Sequence, residues 1–476
     1  MTPQQAGRAV LRAIILGALA FTATLTHAAL PPRVEQILNA ANVRTADVAV
    51  WAQPVDGTQP SLSHQADRAM NPASVMKVVT AFIAFERFGS TRTWNTRLAY
   101  SGTMRDGVLD GNLYVIGSGD PLLTYERLLT ALRQVRSFGV DAIRGDIILD
   151  ASVLQLPAHD PGAFDNRPLR PYNAGPYGLL VNFNTQSLTL VPAARAGQPV
   201  RALASPPLQG LRLDNRITTG QGACGTWFSR LDARLEGDTL VLLGTLPASC
   251  GQRDWGVAPL GNAAFARGAV GSAWQEVGGT LIGGVRSGSA PGGLTPLLNT
   301  TSPTLAEIVR DMNKWSSNVI ARQLLALVGA DQSRALDMVR HGGDVAWQLL
   351  GTAGVPTEGF ILDNGAGLSR SERIRADALG RLLVTAWHRP YMPEFVAALP
   401  RAGLEGTAQR RLADSPARGQ AYIKTGTIND VRAIAGYVTD RTGRRHAVVV
   451  MINSANARGA QRVFDAVLEW LWAAES

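Results

Sequence analysis

The chain has 476 residues, 46% of them hydrophobic and 17% charged, with a formal net charge of +9. That length exceeds one ordinary domain and suits two or three, and the apolar content excludes a disordered chain. The positive surplus does not read as nucleic-acid binding: basic and aromatic residues do not interleave, and the chain opens with an export signal.

That signal is expected over residues 1–28. Arg8 and Arg12 begin it, Ala13–Leu25 is its apolar stretch, and Thr26-His27-Ala28 is a small-residue cleavage site. The stretch is shorter than the ~20 residues of a bilayer span, which favours cleavage before Ala29 over an anchor. No later segment is long and apolar enough to cross a membrane. Losing Arg8 and Arg12 leaves +7, since residues 1–28 contain no acid. That charge suits solubility, or peripheral contact with anionic polymers or lipid headgroups.

In chain order, residues 31–42 predict a short amphipathic helix and Asp47–Trp51 a strand. Asn71-Pro72-Ala73-Ser74 opens a helix to about Phe88, apolar on most sides and therefore buried. From about residue 96 to 295 the texture changes to Gly, Pro and short β-like runs such as Gly145–Ser152 and Asp238–Pro247, an inserted β-rich region. Helices return at Thr304–Met312, Val319–Val328, Arg334–Leu350 and Ala376–His388. Strands Ala433–Thr439 and His446–Ile452 follow, joined by an Asp440–Gly443 hairpin. A helix over about Arg458–Ala473 ends the chain. Cys224 and Cys250, an even pair in an exported chain, suggest a disulfide, with two buried thiols as the alternative.

Of 46 Lys and Arg residues only three are lysines: Lys77, Lys314 and Lys424. Arginine stays protonated, whereas a desolvated lysine can lose its proton and act as a base. Chemistry is therefore sought first at the lysines. Ser74-Val75-Met76-Lys77 puts a hydroxyl and an amine three apart on one helix face. Burial would lower the lysine pKa and let it take the serine proton. Ser316-Ser317-Asn318 follows Lys314, in a position that would also suit a helix N-cap. Lys424-Thr425-Gly426-Thr427 could hold a carboxylate, with Gly426 allowing a ligand backbone close approach. No histidine lies in a triad or metal-ligand pattern, and no metal or organic cofactor is implied.

Ser-x-x-Lys, Ser-x-Asn and Lys-Thr-Gly in this order resemble the motif set of serine β-lactamases and penicillin-binding proteins. The 239 residues from Lys77 to Ser316 exceed the gap of a single-domain β-lactamase. The chain is thus similar to the class C low-molecular-mass penicillin-binding proteins, the D-alanyl-D-alanine carboxypeptidase/endopeptidase family. Gly111–Tyr114, Gly117–Pro121, Asp363–Arg370 and Leu399–Thr407 resemble further segments of it. Ser317 departs from the Asp that many members carry.

The resemblance implies an α/β (α+β) fold: a transpeptidase-like catalytic domain, 29–95 with 296–476, split by an insertion, 96–295, of two subdomains. It implies a periplasmic enzyme acting on peptidoglycan stem peptides and cross-links, with β-lactams as covalent inhibitors. Ser74 would be acylated, Lys77 would be its base and Ser316 a proton relay. Asn318 would bond substrate and Lys77. Lys424 and Thr425 would bind the terminal carboxylate, and the Ser74 and Thr427 N–H groups the oxyanion. Arg370, Asn429 and an acid, Asp165 with Asp160 as the alternative, would read the free end of diaminopimelate. A β-lactamase or D-amino esterase, and a non-catalytic wall-binding protein, are the rival readings.

Overall fold

The computed structural model describes residues 29–330 and 336–474; the expected export signal lies outside them. Its centre is a five-stranded antiparallel sheet in the order Leu62–His64, Val48–Pro54, Arg445–Asn453, Val431–Thr439, Ala421–Ile428. The first long strand thus lies against the last, Val50 opposite Val450. Successive side chains in a strand point to opposite faces. Ala49, Trp51, Ala435, Val449 and Met451 pack among the central helices. Val48, Val50, Ile434, Val450 and Ile452 share a cluster with the terminal helices Pro32–Ala40 and Arg462–Ala473. Helices cover both faces, so the strand Arg445–Asn453 reads as an unbroken apolar run rather than an alternating one.

Met76–Phe88, Leu305–Trp315, Asn318–Ala330, Met338–Thr352 and Ala376–Trp387 occupy the segments expected to be helical. The helix Met392–Ala397 was not expected. At the predicted hairpin, Asp440 Oδ1 accepts from the Thr442 and Arg444 N–H groups.

The insertion leaves and returns on neighbouring strands, since Asn95–Tyr100 pairs antiparallel with Thr295–Thr301, Asn95 opposite Thr301. These strands belong to a second five-stranded sheet with Val285–Ser287, Ile147–Asp150 and Leu113–Ile116. Its apolar cluster includes two helices not expected within this β-rich region, Tyr125–Ser137 and Asn262–Glu276. The first carried a legible signal: Thr124 caps it, and Leu128, Ala131, Leu132 and Val135 form its buried stripe. The second is weak in propensity. Its Gly268 and Gly271 lie against Leu208 and Gln209, so close packing overrides their cost of roughly 1 kcal/mol each.

Beyond these helices, residues 186–257 form smaller sheets around Leu188, Leu190, Leu240, Leu242 and Leu246. Cys224 and Cys250 are disulfide-bonded beside this cluster, so the free-thiol alternative does not hold. No helix among the described residues is long and apolar enough to cross a membrane.

Candidate active site

Ser74 sits in the turn Ala73–Val75 that leads into the helix from Met76. Asn71 fastens this turn. Its Oδ1 accepts from the Ala73 N–H at 2.9 Å, and its Nδ2 donates to the Ser369 carbonyl at 2.9 Å. Ala73 has φ +47°, a left-handed conformation costing roughly 1 kcal/mol that this fastening sustains.

One helical turn on, Lys77 Nζ lies 3.1 Å from Ser74 Oγ, is fully buried, and donates to Asn318 Oδ1 at 2.6 Å and to the Ala366 carbonyl. Burial holds its pKa well below the usual lysine value, and the nearby charges of Lys424 and Arg322 push the same way. A neutral amine has two N–H donors and one lone pair. Asn318 and Ala366 occupy the donors, leaving the lone pair for the Ser74 hydroxyl.

Ser316 closes the helix Leu305–Trp315 in the left-handed conformation, φ +58°. It is therefore a C-cap, not the N-cap its sequence also suited. Ser317 caps the next helix instead, its Oγ accepting from the Ile320 N–H at 3.3 Å. Serine and aspartate cap about equally well, so Ser317 fills the role that an Asp would have here. The left-handed turn carries Ser316 Oγ to 2.9 Å from Lys424 Nζ, and Lys424 also donates to the Thr425 carbonyl at 2.9 Å. Burial lowers the Lys424 pKa to about 7.

Ala421–Ile428 is an edge strand, and the Ile423 N–H donates outward to the Pro400 carbonyl at 2.8 Å. Period two then puts the Thr425 and Thr427 N–H groups on the same free edge. A Cβ on Gly426 would lie 2.5 Å from the Pro72 carbonyl oxygen. The close approach expected here from a ligand is made by the Ser74 turn itself.

Lys314 is a structural lysine. It pairs with Glu405 and donates to the Leu399 carbonyl at 2.9 Å, anchoring the segment whose Thr407 hydroxyl meets that of Thr425 at 3.0 Å.

The sequence reading missed Glu372. It is fully buried, with its pKa raised to about 7 chiefly by that burial. One carboxylate oxygen accepts the N–H groups of Asp363, Asn364 and Gly365, shaping the loop that presents the Ala366 carbonyl to Lys77. Its signal was an acid two residues after the Asp363–Arg370 motif.

The residues assigned to diaminopimelate recognition come together only in part. The Arg370 guanidinium lies 4.9 Å from the Phe164 ring, and Phe164 and Leu368 pack against the small cluster of Ala73, Ile428 and Val431, of which Ile428 neighbours Asn429. A cavity of about 1040 Å³ beside Arg370 is lined by Asp160 and Phe164 but not by Asp165. Asp165 instead accepts from Tyr172 Oη and Asn173 Nδ2, both at 2.8 Å. Asp160, which lines that cavity, accepts from the Gly162 N–H through Oδ1 at 2.7 Å.

Comparison with known proteins identifies the family. The profile of the D-Ala-D-Ala carboxypeptidase 3 (S13) family matches residues 30–473. A D-alanyl-D-alanine carboxypeptidase of Actinomadura sp. is 30% identical over 83% of this chain and 76% of its own. The D-alanyl-D-alanine carboxypeptidase DacB of Haemophilus influenzae is 24% identical over 86% and 85%. The solved penicillin-binding protein 4 of that organism superposes with a TM-score of 0.77 at 22% identity, covering 93% of this chain and 99% of its own. The chain belongs to the D-Ala-D-Ala carboxypeptidase 3 (S13) family and is a serine-type D-alanyl-D-alanine carboxypeptidase.

Proposed function

We propose that Ser74 attacks the carbonyl carbon of the penultimate D-alanine of a peptidoglycan stem peptide while Lys77 takes its proton. The observation that carries this is the saturation of both Lys77 N–H donors by Asn318 and Ala366, 3.1 Å from Ser74 Oγ. The Ser74 and Thr427 N–H groups receive the oxyanion. The C–N bond then breaks, Ser316 passes a proton to the leaving amine, and water hydrolyses the acyl-enzyme at Ser74. Lys424 and Thr425 bind the terminal carboxylate, with Asn318 along the peptide.

A β-lactam would acylate Ser74 but keep its leaving amine tethered, which blocks water. Arg370, Asn429 and Asp160 would read the free end of diaminopimelate, extending the activity to D-alanyl-diaminopimelate cross-links. The catalytic unit is 29–95 with 296–476, and 96–295 is an inserted unit. With the export signal, the site of action is the periplasm.

Labelling with a fluorescent penicillin tests this reading. A stable adduct in the native protein, absent from Ser74→Ala, is expected. Rapid loss of the label would indicate a β-lactamase. No adduct, or an undiminished one in Ser74→Ala, would sink the mechanism. Comparing turnover of monomeric and cross-linked muropeptides then sets the balance of the two activities.

A further inference from the structure

The Asn318 amide bonds in two directions. Its Oδ1 accepts from Lys77 Nζ at 2.6 Å, and its Nδ2 donates to the Tyr172 carbonyl of the inserted region at 3.2 Å. The two ends of an amide are nearly the same size, so the groups around it decide which way it faces. Were Asn318 reversed, Nδ2 would point at Lys77. A neutral amine could accept that N–H only with its lone pair, which the Ser74 hydroxyl requires. Whatever holds the Tyr172 carbonyl in place therefore keeps Lys77 available as a base.

That carbonyl belongs to the turn Pro171–Asn173, whose own hydrogen bonds use the Arg170 and Pro171 carbonyls instead. Arg322 holds it. This residue follows Asn318 by one helical turn, on the same face of the helix Asn318–Ala330. Its Nη1 donates to the Tyr172 and Ala174 carbonyls at 2.9 and 2.8 Å. Arg322 is only 6% exposed, yet it makes no ion pair among the described residues. Burial lowers its pKa only to about 10, so it stays charged at neutral pH. A neutral amide side chain could bond the same carbonyls without the cost of a buried charge. The charge bears instead on Lys77. Around that lysine, Lys424 and Arg322 disfavour protonation and Glu372 favours it, with burial the largest influence.

We propose that Arg322 is a positioning residue for acylation: it pins the Tyr172 carbonyl against Asn318 Nδ2 and so turns Asn318 Oδ1 towards Lys77. Its charge works in the same direction, by opposing protonation of that lysine. The inference rests on Ser74 and Lys77 acting as nucleophile and base. The adjacent Gln323 supplies a built-in comparison. It is fully buried and ties the same helix to the inserted region, its Nε2 donating to the Gly119 and Tyr177 carbonyls at 2.8 and 2.9 Å and its Oε1 accepting from the Tyr177 N–H at 2.9 Å. None of these bonds reaches Tyr172 or Asn318.

The test is acylation by a fluorescent penicillin across pH, with saturation kinetics separating noncovalent binding from the bond-forming step. At the pH of maximal rate, Arg322→Met should slow the bond-forming step about tenfold or more and leave noncovalent binding nearly unchanged. The acid limb of the rate, where Lys77 loses its proton, should move to higher pH. Arg322→Lys keeps the charge and can donate to both carbonyls. It should return the rate to within a few-fold of native, with the limb in its native place. In an Asn318→Ala background, Arg322→Met should slow the maximal rate by less than about threefold, because the residue it acts through is gone. Gln323→Leu should lower the urea midpoint and leave rate and limb native. If circular dichroism shows Arg322→Met unfolded, Arg322→Gln takes its place, with the shifted limb as the expected result. A native rate and limb in the folded variant would overturn the proposal. So would equal slowing by Gln323→Leu, or full slowing in the Asn318→Ala background. Failure of the native protein to acylate would instead count against the Ser74 reading.

Discussion

Ser316 Oγ and Lys424 Nζ lie 2.9 Å apart although 108 residues separate them, one at a helix end and the other on a sheet edge. Each compensates the other. A left-handed serine is costly, and a buried ammonium needs an oxygen partner. Ser316→Ala should keep the fold while lowering kcat/KM for D-alanyl-D-alanine peptides by about 10²–10⁴-fold, the usual range for a lost proton-transfer group. Steady-state kinetics with a circular-dichroism control measures this, and a rate within a few-fold of native would remove Ser316 from the proton path.

The same pair sets a pH dependence. Lys424 must be charged to hold a carboxylate, and its pKa is lowered to about 7 by burial. The kcat/KM profile of the free enzyme should therefore fall as pH rises through about 7. A bound carboxylate favours the charged amine, so the alkaline limb of kcat should lie at higher pH than that of kcat/KM. Coincident limbs would argue against a carboxylate at Lys424.

Glu372 shapes the loop that receives Lys77. Replacing it by alanine orphans three N–H groups that share one oxygen. Each orphan costs roughly 1–3 kcal/mol, so Glu372→Ala should unfold at clearly lower denaturant and acylate slowly. Glu372→Gln keeps the acceptor oxygen without a buried charge and should restore acylation to within a few-fold of native. Penicillin acylation rates read beside urea midpoints separate these outcomes; equal damage from both variants would show that the charge, not the acceptor, matters.

The disulfide should act at a distance from the chemistry. Opening the 26-residue separation in a Cys224→Ser/Cys250→Ser variant should cost about 3–4 kcal/mol in the chain-entropy model. The loss should appear in hydrogen exchange over residues 186–257, with acylation of Ser74 unchanged. A slowed acylation would mean that the insertion props up the site.

What could be read from sequence follows the reach of each interaction. The pairing of Ser74 with Lys77 is local, set by one helical turn, and was legible. Ser316 and Lys424 became legible only through their motifs and the scarcity of lysine. Lys314 shared that scarcity yet serves structure, because residue type reveals what a side chain can do but not which way its helix turns it. Asp165 and Asp160 lie five residues apart in an irregular loop, where no period fixes direction, and only the cavity wall distinguishes them. The Asn262–Glu276 helix was hidden because glycines that weaken it alone are those that let it pack.

The contact between Gly426 and the Pro72 carbonyl has a mechanical consequence. With no room for even a methyl group there, the strand proposed to hold the carboxylate cannot slide relative to the Ser74 turn. The cleft thus has one rigid jaw, carrying nucleophile and anchor together. If the proposed cutting of cross-links holds, the widening it needs would come from the opposite jaw, where Ser316 and Asn318 stand and Asn318 bonds the Tyr172 carbonyl of the inserted region.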